Sequence, residues 1–285
     1  MTEPERVLIL GCGYAGAAIA RLARDRGLEV VANVRSDARA ESLRGEGFEV
    51  LRRPELDETI AEHVSERTHV VIAFPPDGVT DARVAAALRD AARITYLSST
   101  GVYGAHRGVV DDATPVPPPC SPSDRGAKIL AAEELYRAAR ATVLRCPALY
   151  GPDRGLHVRV LQGAHRIPGD GTRYLSRIHV ADLAQLVLAS LPRGSTMVVG
   201  DLEPAPHGDV VRFISEAYGV PMPPSVPLES VHESLRADRR VDASRALAAA
   251  GITLRYPSYR DGMSPAATNL RPDPHLQASK RIDEK

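Results

Sequence analysis

The feature that most constrains this chain is a glycine-rich turn that directly follows an apolar stretch near the amino terminus. Residues 6–10 (Arg-Val-Leu-Ile-Leu) run into Gly11-Cys12-Gly13-Tyr14-Ala15-Gly16, and an alanine-rich stretch follows over 17–26. Gly11 permits a tight strand-to-helix turn, Gly13 lets a pyrophosphate approach bare backbone, and Gly16 lets the helix pack closely on the strand. The helix N–H groups and positive dipole end then face the anion. The pattern predicts a dinucleotide-binding turn rather than a structural turn without a ligand.

Short apolar strands alternate with helix-like stretches through the first half of the chain. This alternation is typical of a parallel, doubly wound sheet. We therefore predict an α/β protein, a Rossmann-type doubly wound parallel sheet with a small C-terminal substrate lobe. Predicted strands cover 7–10, 30–34, 48–51, 70–74, 94–98, 142–145 and 196–199, and predicted helices begin near Tyr14, Ser36, Leu56, Val79, Ser123 and His179.

The alternation becomes irregular after residue 150, which suggests that the second half interleaves a smaller lobe with late pieces of the sheet. Residues 1–150 and 176–200 are predicted to form the dinucleotide-binding Rossmann domain. Residues 151–175 and 201–262 are predicted to form the substrate lobe. Beyond about Gly262 apolar periodicity is lost, so we expect 263–285 to be a loose C-terminal tail.

Composition excludes several classes of partner. The 285 residues carry 36 basic and 36 acidic side chains, so no net charge draws the protein to nucleic acid or to an anionic membrane. No apolar run approaches the roughly 20 residues that a membrane helix needs. The three cysteines, Cys12, Cys120 and Cys146, lie far apart without metal-ligand spacing, so no metal site is expected. A reducing cytoplasm fits this composition best.

The cofactor preference follows from the end of the second strand. Sites that prefer NAD carry an acidic residue about 20 positions beyond the glycine loop, whereas this strand ends in Val34-Arg35-Ser36. A guanidinium with a hydroxyl suits a 2′-phosphate, with Arg39 as a helper, so NADP is the expected cofactor. The alternative is that Arg35 is a solvated residue at a strand end.

Further cofactor contacts are expected around the same crevice. Tyr14 lies within the glycine loop and is expected to flank the cofactor, with Ala15 beside it in the first helical turn. Phe74 and Pro75 follow the fourth strand, where the carboxyl ends of strands line the crevice. The rigid proline is expected to border the ribose.

Four separated motifs carry a resemblance to a known family. Besides the glycine loop, they are Leu97-Ser98-Ser99-Thr100-Gly101-Val102-Tyr103-Gly104, the run from Arg145 to Pro152, and Arg177-Ile178-His179-Val180-Ala181-Asp182-Leu183. Together they resemble the extended or atypical short-chain dehydrogenase/reductases, the group of the NAD(P)-dependent epimerases and dehydratases. The resemblance implies a Rossmann fold with a small substrate lobe, and it places Ser98 and Pro147 among the cofactor-binding residues.

The resemblance also implies catalytic residues, with one gap. Ser99 is similar to the hydroxyl residue that hydrogen-bonds the substrate oxygen, although serines also cap strand ends. Lys128 is similar to the lysine that reaches the nicotinamide ribose. The family tyrosine four residues earlier is Asp124 here, and a carboxyl with a reference pKa of about 4 has no proton to give at neutral pH. An exposed Asp124–Lys128 helix pair is an equal interpretation.

Other side chains near these motifs are candidates for the missing proton transfer. Tyr103 follows the serine run by four residues, and its phenol has a suitable intrinsic pKa, so it is our preferred substitute; the alternative is a packed ring. His106 is a weaker candidate because Arg107-Gly108 after it indicates a solvated loop. For His179, which begins a helix with apolar positions, a capping or packing role is favoured.

These residues lead to two hypotheses about function. The first is an NAD(P)-dependent oxidoreductase or nucleotide-sugar epimerase/dehydratase-like enzyme that lacks the usual tyrosine. The alternative is a non-catalytic NADP(H)-binding redox sensor or scaffold. The expected partner is a small-molecule substrate, for which Arg154, Arg173 and Arg177 would suit an anionic group, although each alone is better explained as a surface charge. Related enzymes imply a homodimer through the helices starting near Val79 and Ser123.

Overall fold

The computed structural model describes residues 3–118, 125–232, 235–273 and 276. Its strands are β1 (Arg6–Leu10), β2 (Glu29–Val34), β3 (Glu49–Arg52), β4 (Thr68–Ile72), β5 (Arg93–Ser99), β6 (Arg107–Val110), β7 (Thr142–Cys146), β8 (Ala148–Tyr150), β9 (Ile167–Pro168), β10 (Tyr174–Leu175), β11 (Arg177–His179), β12 (Thr196–Val198), β13 (Ala205–Pro206), β14 (Ser225–Val226) and β15 (Asp238–Val241).

The helices alternate with the strands of the first half and then populate the lobe. They are α1 (Tyr14–Asp25), α2 (Asp37–Gly45), α3 (Val79–Ala87), α4 (Arg125–Ala138), α5 (Leu156–Leu161), α6 (Val180–Leu188), α7 (His207–Tyr218), α8 (Ser244–Ala250), α9 (Tyr259–Gly262) and α10 (Pro265–Thr268). The helix predicted near Leu56 is a 3₁₀ turn over Glu58–His63. Ser123, the predicted start of α4, lies outside the described residues.

A seven-stranded sheet organises the molecule, in the order β12-β7-β5-β4-β1-β2-β3 with every pair parallel. Strand β1 lies inside the sheet, and Leu10 is in register with Asn33 on one side and Ile72 on the other. The apolar residues of β1 are completely buried because helices cover both faces. The predicted Rossmann-type fold is confirmed, and all seven predicted strands are present.

Two hydrophobic cores lie on opposite faces of this sheet. Helices α1 and α6 pack together on one face, where Ile19 and Leu183 are fully buried. Helices α3 and α4 pack together on the other face, where Tyr96 and Tyr136 stack with ring centroids 4.7 Å apart. Because all seven strands of the sheet are parallel, their carboxyl ends meet at one edge, which is where ligands bind in open α/β sheets.

The predicted substrate lobe contains a four-stranded sheet, in the order β13-β10-β15-β6, and a core between α5 and α7. Two segments cross the predicted domain boundaries. Strand β6, predicted within the Rossmann domain, pairs with β15 in the lobe sheet. Helix α8, predicted within the lobe, places the fully buried Ala246 in the core beneath α1 and α6.

The first part of the predicted loose tail is packed. Met263 is buried, and the Tyr218 and Thr268 hydroxyls lie 2.6 Å apart in a hydrogen bond. Helix α10 starts with Pro265, and the Ser264 hydroxyl accepts from the Ala267 N–H. The expectation of a loose chain from residue 263 is therefore wrong for this segment, because isolated contacts with α7 hold it without apolar periodicity.

No helix in the described ranges is both long and apolar enough to cross a membrane.

Candidate active site

The glycine loop between β1 and α1 has the geometry that its sequence predicts. Gly11 has a φ of +82°, and a Cβ there would lie 2.7 Å from the Cβ of Phe74. A Cβ on Gly16 would lie 3.1 Å from the Cγ2 of Ile9, so helix and strand approach closely. Gly13 is exposed, and a Cβ there would meet no atom nearer than 4.0 Å. The loop thus leaves open space beside Gly13 at the start of a helix, which fits a dinucleotide pyrophosphate.

Asn33, which sequence reasoning missed, ties this loop to the neighbouring strands. Its side-chain oxygen accepts from the Gly11 N–H at 3.3 Å, and its amide nitrogen donates to the carbonyls of Leu51 and Arg53, both at 3.3 Å. The side chain is 1 % exposed. Asn33 therefore holds the glycine turn in place. Its position as a lone polar residue inside an apolar strand is the sequence feature that could have indicated this role.

Arg35, Ser36 and Arg39, which were predicted to bind the 2′ substituent of the cofactor, differ in their contacts. Arg39 donates to the carbonyls of Cys12 at 3.2 Å and Gly13 at 3.1 Å. The Ser36 hydroxyl caps α2 by accepting from the Arg39 N–H. Arg35 is exposed at the end of β2 and has no hydrogen-bond or ion-pair partner among the described residues. Arg35 is thus the available cation here, while Arg39 braces the loop.

Tyr14 and Ala15 sit at the start of α1 with different orientations. The Tyr14 ring lies under the Arg154 guanidinium, 4.9 Å from its centroid, and a side chain on Gly151 would collide with the Tyr14 hydroxyl. Tyr14 therefore bridges the glycine loop and the beginning of the lobe. Ala15 packs in the core and offers a cofactor only its backbone.

A cleft of about 660 Å³ opens at the carboxyl ends of β4, β5 and β7. It begins at Phe74, the residue against which Gly11 packs, so it continues from the glycine loop. The structure brings six of the predicted site residues to its walls: Phe74, Pro75, Ser98, Ser99, Lys128 and Pro147.

Ser99, at the end of β5, and Lys128, in α4, both line this cleft. The Ser99 hydroxyl accepts from the Gly101 N–H at 3.0 Å and caps a 3₁₀ turn, which leaves its proton free to donate. Lys128 is exposed and has no hydrogen-bond or ion-pair partner within the described ranges. Asp124, one helical turn before it, lies outside the described residues.

Ser98 lines the cleft, but its hydroxyl belongs to a buried network. It donates to Glu133 at 2.5 Å, and Glu133 forms a two-pronged ion pair with Arg145 at 2.7 and 3.0 Å. Glu133 is completely buried and Arg145 is 8 % exposed. This network, missed from sequence, fixes the end of β5 against α4, and so Ser98 contributes position rather than a free hydroxyl.

The structure does not bring Tyr103 to the cleft. Its ring is completely buried, and its hydroxyl donates to the Asp111 carbonyl at 3.2 Å and accepts from Arg145 at 3.0 Å. Burial raises the pKa of the phenol above its ordinary value. Tyr103 is thus a structural part of the buried network, because the turn after β5 directs its ring inward.

The favoured interpretation of His179 is confirmed. Its Nδ1 accepts from the Ala181 N–H at 3.1 Å and caps α6, and its ring stacks on Tyr256 with centroids 3.7 Å apart. Burial lowers the pKa of the imidazole to about 4, so it is neutral at pH 7. His179 therefore acts as a capping residue.

A model described as the NAD dependent epimerase/dehydratase family matches residues 7–201, from β1 to just beyond β12. The chain belongs to this family. It is thus an NAD(P)-binding, epimerase/dehydratase-type protein of the short-chain dehydrogenase/reductase kind, as the four motifs predicted.

Solved structures with the same fold match nearly the whole length of this chain. A protein from Silicibacter pomeroyi, described as functionally unknown and conserved, is 29 % identical with a TM-score of 0.78, and the match covers 94 % of this chain and 99 % of that one. The UDP-glucuronic acid 4-epimerase of Bacillus cereus, solved with NAD, is 18 % identical with a TM-score of 0.72, covering 90 % and 96 %.

A human epimerase family protein solved with NADPH is 17 % identical with a TM-score of 0.68, covering 93 % of this chain and 100 % of that one. At these low identities the human and Bacillus structures establish the shared fold and nothing further. No curated protein matches the sequence.

Proposed function

We propose that this family member is an NADP-dependent enzyme that transfers hydride to or from a carbon of a small substrate. The observation that carries the proposal is the cleft that starts at Phe74, beside Gly11 of the glycine loop, and extends to Ser99 and Lys128. The loop would hold the pyrophosphate, Phe74 and Pro75 would border the ribose, and Lys128 would reach the nicotinamide ribose. When bound, the nicotinamide accepts or supplies the hydride.

The preference for NADP over NAD rests on charge at the end of β2. Arg35 has no partner in the described parts of the chain, and no carboxylate occupies the strand end itself. Asp37, the nearest acid in the sequence, is already paired with Arg52 at 2.8 Å. An unpaired guanidinium beside a neutralised carboxylate favours a phosphate over a bare hydroxyl.

The proposed chemistry uses the hydroxyl and the ammonium at the cleft. The Ser99 hydroxyl would donate to the substrate oxygen and hold the reacting carbon in line with the cofactor. The Lys128 charge would stabilise a developing alkoxide, because a nearby cation favours the charged form. Since the Tyr103 hydroxyl is engaged within the buried network, we assign the proton transfer to water in the cleft.

Substitution of Ser99 and Tyr103 tests this assignment. NADPH oxidation is followed spectroscopically with a panel of carbonyl compounds and nucleotide sugars. Ser99→Ala should lower kcat by about 100-fold or more, the size of losing one positioned donor. Tyr103→Phe, the matched control, should keep kcat within a few-fold while lowering thermal stability. Equal kcat in Ser99→Ala and wild type, or a collapse in Tyr103→Phe alone, would overturn the assignment.

A non-catalytic NADP-binding role is a second candidate, and one observation favours it. Asp124 stands where the resembled family has its tyrosine, so the usual proton donor is missing. Tight NADPH binding without hydride transfer to any tested compound would support this candidate over the enzyme.

A further inference from the structure

A second cavity lies in the lobe and adjoins the cofactor cleft. Its volume is about 360 Å³, and it shares Leu149 with the cleft. Much of its wall is apolar, including Leu156, Leu175, Leu235 and Met263. The volume is near the lower end of the range of about 300–1,000 Å³ that is usual for ligand pockets. The cavity therefore suits a small molecule beside the cleft.

Arg177 is the buried cation of this cavity. Its side chain is 4 % exposed, and its Nη1 has no hydrogen-bond partner. No carboxylate of the described residues lies within ion-pair distance of it. The guanidinium carbon lies 5.5 Å from the centroid of the Tyr259 ring. Burying a charge without a close partner is costly, so a ligand that completes its hydrogen bonds would be favoured.

The carboxyl groups of Asp201 and Glu203 attract the charge of Arg177 without forming an ion pair with it. Asp201 is buried, and burial raises the pKa of its carboxyl to about 7, so at neutral pH it is only partly charged. Of the further cavity residues, Asp153, Arg154 and Arg159 are exposed, and their charges are screened by solvent.

Two histidines form a neutral wall of the same cavity. The Nε2 atoms of His165 and His207 are 2.9 Å apart, so one ring donates to the other, and each Nδ1 has no partner. Burial lowers the pKa of His165 to about 4 and that of His207 to about 3. Neither adds positive charge at pH 7, which leaves Arg177 as the feature that selects the charge of a ligand.

We propose that this lobe cavity binds the anionic group of the substrate, a carboxylate or a phosphate, with Arg177 as its anchor and the apolar wall around the substrate body. The guanidinium fork matches both anions. The inference rests on the proposed function, because the shared wall at Leu149 would place the rest of the molecule in the cleft near Ser99. It narrows the substrate class to small anions with a partly apolar body.

Calorimetric titration of the ligand-free protein at constant ionic strength tests this proposal. The probes form one phenyl series: benzoate carries a carboxylate, phenyl phosphate carries a phosphate, and benzamide is the neutral match of benzoate. At least one anion should bind about tenfold or more tightly than benzamide, the size of a charge-assisted hydrogen bond. Whichever anion binds more tightly identifies the anionic group.

Variants of Arg177 test whether the preference for anions over benzamide arises in this cavity. Arg177→Met should remove it, Arg177→Lys should retain part of it, and Arg159→Met, which removes an exposed arginine of the same cavity, should change affinity less than about threefold. The lysine variant keeps the test valid if the methionine variant does not fold. Anion preference that is absent in wild type, or that survives in Arg177→Met, would overturn the proposal.

Turnover and NADP are not needed for this titration, so its failure is distinguishable from failure of the proposed function. NADPH binding without anion preference would remove only the lobe proposal. Anion preference without NADPH binding would remove only the cofactor proposal.

Discussion

The molecule buries one arginine beneath the cofactor cleft and another in the lobe cavity, and their surroundings differ. Arg145 is 8 % exposed and forms a two-pronged ion pair with Glu133 as well as a hydrogen bond to Tyr103. Arg177 is 4 % exposed and has no ion-pair partner in the described ranges. A buried charge with a complete set of partners holds elements together, whereas one that lacks them is suited to a ligand.

The same difference separates the polar neighbours of the two arginines. The hydroxyls of Ser98 and Tyr103 both have partners inside the first network. In the lobe cavity the Nδ1 atoms of His165 and His207 have none. The first region therefore supplies rigidity at the end of β5, and the second supplies free hydrogen-bonding capacity next to it.

The largest expected effect is on stability when the closed network is broken. Glu133→Gln leaves the Arg145 charge buried without its carboxylate, so the free energy of unfolding should fall by about 3–5 kcal/mol. Urea unfolding measures this change. The double replacement Glu133→Leu with Arg145→Met, which removes both charges, should recover most of the loss. A loss below about 1 kcal/mol for the single variant would show that the network is not structural.

The next effect concerns pH and the lobe histidines. Unfolded histidine has a pKa of about 6.5, whereas His165 and His207 titrate at about 4 and about 3 in the folded protein. Between the folded and unfolded pKa values the unfolded chain binds more protons than the folded protein. The contribution of the neutral histidines to the free energy of unfolding is therefore complete above about pH 6.5 and is lost as the pH falls. Each imidazole contributes a slope of up to about 1.4 kcal/mol per pH unit.

Urea unfolding between pH 7 and pH 4.5 measures this slope, and His207→Gln should make it shallower. His69 in β4 is the matched control in the Rossmann sheet, because burial lowers its pKa to about 3 as well. His69→Gln should reduce the slope similarly but leave benzoate and phenyl phosphate affinities unchanged. An unchanged slope in His207→Gln would contradict a neutral, buried His207.

The smallest effect is expected on stability when the open arginine is removed. Arg177→Met removes a buried charge that has no ion pair, so the free energy of unfolding should change by less than about 1 kcal/mol or increase. Urea unfolding at pH 6, where Asp201 is mostly protonated, measures it. A loss as large as that of Glu133→Gln would mean that Arg177 is as structural as Arg145, and the contrast between the two regions would disappear.

Local pattern was sufficient to predict the sheet and the cofactor loop. Each strand is a short apolar stretch, and the glycines follow the first strand directly, so neighbours in sequence carried the information. The spacing of Tyr103 from Ser99 said nothing of where its ring points, and the turn after β5 buries it.

Contacts between distant residues were beyond the same reasoning. The hydrogen bond from Gly11 to Asn33 and the ion pair of Glu133 with Arg145 depend on how strands and helices pack. Arg177 is indistinguishable in sequence from a surface arginine. Its burial within the lobe, without an ion-pair partner among the described residues, is visible only in the structure. The packed segment near Thr268 likewise depends on α7.

The central claim is that Arg35 binds the 2′-phosphate of NADP, and the affinities of the two cofactors test it most directly. The measurement is the Kd of NADPH and of NADH for wild type and Arg35→Ala. Wild type should bind NADPH about 10- to 100-fold more tightly than NADH, and Arg35→Ala should lose most of that difference. Equal affinities in wild type, or a preference that Arg35→Ala leaves intact, would contradict the claim.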